Sequence, residues 1–290
     1  MIDAKKLLKQ VESFKKFKSL TKAIQMVALS QLTSSKNKIN SRKEALSPVI
    51  PFFNNDFIED IVDNKYLIAP ISVDKSCCGP HNSNIFKASK SMIDRLKEKN
   101  KSIGIISFGK RAKYFFKKYY RNYQCLNIYN IDKEPLSLFV TTTLAEKIRD
   151  IYFDRCIFIF NRFYSAFNQR TCNYNINCYD SFIHNLMELN NKMNNNLSVI
   201  YNGLINSVDE NSVFPNFLND FYDYCISLIL LDCLEENEYS SLGARATAMN
   251  NATKNASELI EHLRLKYNKA RQEQITNELI EIVTAVNAVS

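Results

Sequence analysis

Leu7, Val11, Phe14, Phe17, Leu20, Ile24 and Val27 recur at steps of three and four residues near the start of the chain, with lysines between them. Near its end Ile260, Leu263, Tyr267 and Ala270, then Ile275, Leu279, Ile282 and Val286, repeat the pattern. Such spacing places apolar side chains on one helix face, and two helices of this kind pair as a coiled coil. Neither 1–47 nor 216–290 contains a proline, and Gly243 is the single glycine in the two. Each segment therefore reads as one long helix. At 1.5 Å per residue the first reaches ~65 to 70 Å and the second ~110 Å, more than a compact domain of this size spans. The C-terminal line skips near Gln274, which predicts pairing that loosens toward the end.

Between them, 48–215 changes rhythm. "YLIAPISV" from Tyr66, "SIGIISFG" from Ser102, "CIFIFNRF" from Cys156 and "LSVIYN" from Leu197 are short β-branched and aromatic runs. They alternate with helical stretches such as "IFKASKSMIDRLKEK" and "TTTLAEKIRDIYF". Strand and helix in alternation predict an α/β domain on a largely parallel sheet. The expected organisation is a coiled-coil helix over 1–47, an α/β domain over 48–215 and a second coiled-coil helix over 216–290.

With 290 residues, nearly half of them apolar, the chain can bury a sizeable core. The longest strongly apolar run, "CISLILL" at Cys225 to Leu231, is far short of the ~20 residues a spanning helix needs. The first residues lack the apolar core of a secretory signal, and Asp3 and Glu12 sit badly with a transit peptide. The N-terminal helix is strongly cationic, through Lys5, Lys6, Lys9, Lys15, Lys16, Lys18 and Lys22 among others, whereas 216–290 is acidic. Opposite charge on the two predicts that they lie side by side.

Chemistry-bearing motifs are sparse. Eight cysteines form no CxxC pair and no Cys/His ligand spacing, and Cys156, Cys225 and Cys233 sit among apolar residues as small core side chains. No GxGxxG, GxxxxGK[ST] or GxSxG occurs, and "SFGKRAKYF" offers one glycine at its turn, too few to cradle a phosphate. His81, His184 and His262 are far apart in sequence, and His262 reads as a solvated helical residue. "DKSCCGPHNSN" (Asp74 to Asn84) gathers Asp, Cys, His and Asn. It reads either as a thiol nucleophile on Cys77 or Cys78, or as a loop turned by Gly79 and Pro80 with Asn82 or Ser83 capping the next helix. The Lys-rich first helix is compatible with nucleic acid or an anionic membrane surface. Its lysines, however, are interleaved with an apolar seam, which favours a partner helix.

"ARATAMNNATKNASELIEHLRLKYNKARQEQITNELIEI" (Ala244 to Ile282) resembles the C-terminal signature of the gamma subunit of F-type ATP synthases. "SFKKFKSLTKAIQMVALSQL" (Ser13 to Leu32), "DKSCCGPHNSNI" and "FIFNRFYSAF" (Phe158 to Phe167) are similar to that family's N-terminal helix and central motifs, in the same order. The resemblance implies an α/β fold class: an antiparallel coiled coil of long N- and C-terminal helices plus a central Rossmann-like α/β domain at one end. It further implies a rotor shaft inside a ring of alpha and beta subunits, its globular domain meeting delta and epsilon type subunits and the membrane c-ring. That role calls for no catalytic residue, cofactor, metal or nucleic acid. Arg271, Gln272 and Thr276 match positions that hydrogen-bond an acidic catch loop on a beta subunit, and a guanidinium fork suits a carboxylate. Lys22 is the representative contact for acidic lever loops on the beta subunits.

The sequence departs from the family pattern at Ile24, where a thioether is usual; at Ser240-Ser241, which lacks a carboxylate; and at Ala285, where the family has glycine. Ile24 keeps the volume of the residue it replaces, so packing there should survive. Cys172 and Cys178 share the spacing of the dithiol switch of chloroplast relatives, without the surrounding acidic insertion. The expected location is the matrix side of the mitochondrial inner membrane, with the cytoplasmic side of a bacterial plasma membrane as the alternative.

Overall fold

The computed structural model describes residues 4–53, 64–129, 136–165, 168–192 and 217–289. Helix α1 (Ala4–Leu46) leads through a 3-10 turn (Ile50–Phe53) into β1 (Lys65–Pro70), α2 (His81–Glu98), β2 (Ser102–Phe108) and α3 (Lys110–Tyr119). Then follow β3 (Gln124–Ile128), α4 (Leu138–Arg149), β4 (Arg155–Ser165), β5 (Asn168–Asn177), α5 (Tyr179–Lys192) and α6 (Phe217–Val289). Two compact units result, one from Gln31–Ala244 and one from Met1–Ser30 with Arg245–Ser290. The boundaries at 47 and 216 are thus displaced: α6 from Leu218 to Ala244 is buried in the α/β unit, and Leu46 at the end of α1 joins the same core.

In the α/β unit the strands lie in the order β3-β2-β1-β4-β5. The first four are parallel and β5 returns antiparallel along β4. Side chains alternate across the sheet as a pleat requires. Ile68, Ile105, Ile157 and Ile159 face α2 and α3, where Ile85, Ile93, Ala112 and Phe116 cover them. Leu67, Ala69, Ile106, Phe108, Cys156, Phe158 and Phe160 face the other way, onto α4, α5, the 3-10 turn and α6. The "CISLILL" run supplies Cys225, Ile226, Ile229 and Leu230 to this layer, continued by Cys233 and Leu234. Cys156, Cys225 and Cys233 are fully buried small side chains, as their surroundings in the sequence predicted. Strands β3 and β5 were not legible as apolar runs, and "LSVIYN" lies outside the described residues.

In the coiled-coil unit Leu7, Val11, Thr21 and Ala28 of α1 are buried with Met249, Ala256 and Ile260 of α6. The Thr21 and Thr253 hydroxyls meet at 2.8 Å and set an antiparallel register. Leu263, Tyr267 and Ala270 are half-buried, as expected, and every side chain from Arg271 to Ala288 is exposed, so the pairing ends where the seam skips.

On α1 the seam differs from the sequence reading: Phe17, Leu20 and Val27 are about half exposed or more, at 47%, 58% and 57%. Three successive steps of three residues, from Val11 to Leu20, carry the apolar line around the helix. The packed line keeps alternating fours and threes through Phe14, Thr21 and Ala28. Polar Thr21 and Gln25 stand on it, which hid it from a hydrophobic count. The charge contrast between the paired helices is smaller than the segment counts imply, because Asp220, Asp223, Asp232, Glu235, Glu236 and Glu238 all precede Arg245 and belong to the α/β unit. Among the described residues no helix is long and apolar enough to cross a membrane.

Candidate partner-binding surface

Two bands of the coiled-coil unit carry the residues singled out from the sequence. Lys22 is exposed and Ile24 half-buried on α1, close to the Thr21–Thr253 contact. Arg271, Gln272 and Thr276 are exposed on α6. The helix rise puts the bands about 30 Å apart along the axis, so they are separate stretches of surface.

At the second band the Thr276 hydroxyl donates to the Gln272 carbonyl at 2.9 Å, a turn earlier on the helix. Its lone pairs stay open to a donor, while the Gln272 amide can both donate and accept. Gln272 and Thr276 line one shallow concavity with Lys269, Glu273 and Asn277. Arg271 adds a planar guanidinium alongside, suited to a carboxylate. Among and beyond these residues Ile275, Leu279, Ile280, Ile282, Val283 and Val286 are each 48% to 62% exposed. Together they make a contiguous exposed apolar surface on a single helix, a candidate docking surface.

The other candidate places resolve differently. An open α/β sheet binds ligands where the strand order reverses, here between β1 and β4. That crevice is filled by the chain itself. The Asn237 side chain of α6 donates from Nδ2 to the Ile71 carbonyl at 3.0 Å and accepts at Oδ1 from the Asn161 N–H at 3.1 Å. Asn161 in turn donates to the His81 carbonyl at 2.8 Å and accepts from the Thr171 hydroxyl at 2.7 Å. The His81 imidazole is buried beside Asn237 and Gln169, its nitrogens lacking a hydrogen bond of normal geometry, and burial lowers its pKa to about 4. Asn237 and its neighbours escaped the sequence reading; the available signal was a run of polar residues, Asp232, Glu236 and Asn237, inside a stripe that is otherwise buried and apolar.

At the turn in "SFGKRAKYF", Gly109 takes a φ of 90°, and the first N–H groups of α3, of Lys110 and Arg111, already point at Asp74 Oδ1 at 2.6 and 3.4 Å. In "DKSCCGPHNSN" the Cys77 thiol donates to Ser76 and the Cys78 thiol to the Lys75 and Ser76 carbonyls. Neither thiol is hydrogen-bonded to His81, so the nucleophile reading loses its base. Gly79 does make the turn, with a φ of 54°. Asn82 does not cap α2: Pro80 is the N-cap residue, and the Asn82 amide pairs with both backbone groups of Val73, at 3.1 and 2.9 Å. His184 and His262 are exposed.

Cys172 lies within β5 and Cys178 just past its end. Six residues of extended chain separate them by about 20 Å, far beyond the ~7 Å limit for bridged Cα atoms. The dithiol suggested by their spacing is not formed in this fold. No group of metal-ligating side chains occurs among the described residues.

A Rossmann-like sheet whose ligand crevice is plugged by its own helix, together with a long coiled coil ending in an exposed apolar helix, defines a subunit that works through other chains. A family model described as ATP synthase matches residues 3–289. The ATP synthase gamma chain of Rickettsia prowazekii is 30% identical over 307 positions, covering 100% of both chains. The mitochondrial ATP synthase gamma subunit of Arabidopsis thaliana is 26% identical over 284 residues, which is 96% of this chain and 83% of that one. Among solved structures, a chain of the Euglena gracilis mitochondrial ATP synthase (OSCP/F1/c-ring) superposes with a TM-score of 0.80 at 24% identity, over 99% of this chain and 94% of that one. The chain belongs to the family of ATP synthase gamma subunits. That membership decides against the nucleic-acid and membrane-surface alternatives.

Proposed function

We propose that this chain is the central rotor shaft of a proton-translocating F-type ATP synthase and couples turning of a c-ring to the conformational cycle of catalytic beta subunits. A shaft shifts an equilibrium among states of each beta subunit only through contacts that differ between those states. The observation that carries this reading is the α6 segment from Arg271 to Ala288, polar where it begins and apolar beyond, with every side chain exposed. Its apolar part fits a collar formed by alpha and beta subunits. Arg271, Gln272 and Thr276 fit an acidic loop on a beta subunit, and Lys22 with Ile24 fits a second loop about 30 Å away.

The α/β unit meets delta and epsilon type subunits and the c-ring, and the chain itself contributes no catalytic group. Relatives from mitochondria and from bacteria support a peripheral place on an energy-transducing membrane. The matrix side of the mitochondrial inner membrane is the first reading and the cytoplasmic side of a bacterial membrane the second.

Replacing Arg271 and Gln272 together with Ala should lower coupled ATP synthesis by the assembled complex about tenfold or more, as expected for losing hydrogen bonds to a charged group. Helix content of the isolated chain should be unchanged, because both side chains are exposed. Wild-type synthesis by the double variant would remove these residues from the contact.

A further inference from the structure

We infer that Asn237 locks α6 against turning in its seat on the sheet, and so is a positioning residue for torque transfer; this rests on the rotor reading above. Strands β1 and β4 are joined by a parallel ladder. The Ile71 N–H donates to the Ile159 carbonyl at 2.9 Å. In a parallel pair the next bond runs back from the N–H two residues on, here Asn161, to the Ile71 carbonyl. That bond is replaced. Asn161 N–H donates instead to Asn237 Oδ1, and Asn237 Nδ2 donates to the Ile71 carbonyl. A side-chain amide has the donor and acceptor of a peptide group, so Asn237 inserts a piece of helix α6 into the ladder as one of its rungs.

Cys225, Ile226, Ile229, Leu230, Cys233 and Leu234 pack on the sheet through apolar contact, which is non-directional. Tyr222 donates to the Asn177 carbonyl at 2.6 Å and Asp232 pairs with Arg162 at 3.4 Å, but neither of these enters the β1–β4 ladder as Asn237 does. A hydrogen bond in a site only 1% exposed is directional, and breaking it strands two backbone groups. The receiving strand is itself fixed, since the Asn161 side chain is held by the His81 carbonyl and the Thr171 hydroxyl. Helix α6 continues from Asn237 to Val289 and carries Arg271, Gln272 and Thr276. A turning force applied to the sheet reaches those residues in phase only if α6 does not rotate in its seat.

The test uses the assembled complex, with the catalytic ring fixed to a surface and a bead on the α/β unit, and reads torsional stiffness from angular fluctuations of the stalled rotor. Asn237→Leu stays close in size, favours a helix more than asparagine does, and removes both bonds. Ile93→Ala, which opens a cavity on the opposite face of the sheet, controls for lost stability. The expected result is a rotor softened about twofold by Asn237→Leu, which removes a directional pair of bonds, and wild-type stiffness in Ile93→Ala. Should Asn237→Leu assemble poorly, Asn237→Ser leaves room for a bridging water and is expected to soften the rotor in the same direction. Wild-type stiffness in the Asn237 variants, or equal softening in Ile93→Ala, overturns the inference. A wild-type bead that does not rotate on ATP overturns the rotor reading instead.

Discussion

Gly109 sits where β2 hands over to α3, and alanine there should be among the most damaging small substitutions in the α/β unit. Its φ of 90° lies where L side chains are strained, a cost of about 1 to 3 kcal/mol. An added Cβ would also stand 2.6 Å from both the Ser72 carbonyl oxygen and Ser72 Oγ, and 3.2 Å from Asp74 Oδ1. None of these can yield freely. Ser72 Oγ donates to the Phe108 carbonyl at 2.8 Å and receives the Ala112 N–H at 3.0 Å, while Asp74 holds the N–H of Lys110. Displacing Ser72 loses about 1 kcal/mol for each bond, and the stiffer unfolded chain of an alanine variant returns about 0.4 to 1 kcal/mol. The net loss is about 2 to 4.5 kcal/mol, or roughly 10 °C in the thermal midpoint of a unit this size. Gly104→Ala is the matched control. Its Cβ would meet Leu67 Cδ2 at 2.5 Å and Cys125 Sγ at 2.7 Å, side-chain ends at an ordinary φ, for about 1 to 2 kcal/mol. Thermal unfolding followed by circular dichroism compares the two. If Gly109→Ala costs no more than Gly104→Ala, the reasoning from backbone strain and a fixed serine is wrong.

Two other outcomes follow from buried groups and strand geometry. His81 binds its proton less readily folded, with a pKa of about 4 against 6.5 in the unfolded chain; the unfolded state therefore takes up more protons between those values. Stability should be complete above pH 6.5 and fall by up to about 3 kcal/mol as pH drops toward 4, and a denaturant titration of His81→Asn should lose that slope. Mild oxidation of the folded chain should leave Cys172 and Cys178 as thiols, since about 20 Å of strand separates them; loss of two mass units mapped to that pair would contradict the β5 assignment.

The sequence showed its long helices and main strands because each repeats one chemical character at a fixed period. Strands β1, β2 and β4 are buried on both faces and read as continuous apolar runs. Strand β5, "NQRTCNYNIN", lies along one side of β4 with several half-buried or exposed positions, and its alternation is too polar to register. The α1 seam was displaced for the same reason. Thr21 is buried because its hydroxyl has Thr253 as a partner, a compensation that no hydropathy count contains. The partner surface was legible through family resemblance at Arg271, Gln272 and Thr276, and through periodicity in the apolar tail. Asn237 was not legible, because a polar residue within a buried stripe looks like a break in the pattern until the strand it completes is seen.

The Thr21–Thr253 contact joins residues 232 positions apart. Helix α1 leaves the ribosome well before its partner stretch of α6. At 5 to 20 residues per second, roughly ten to fifty seconds pass before α1 can pair. The sheet is no better placed, since the α6 layer of its core, from Leu218 to Leu234, also arrives late. Until α6 has emerged, a nascent chain presents Leu7, Val11, Phe158 and Phe160 without the helix that covers them. Emergence of α6 is thus the step on which both units wait.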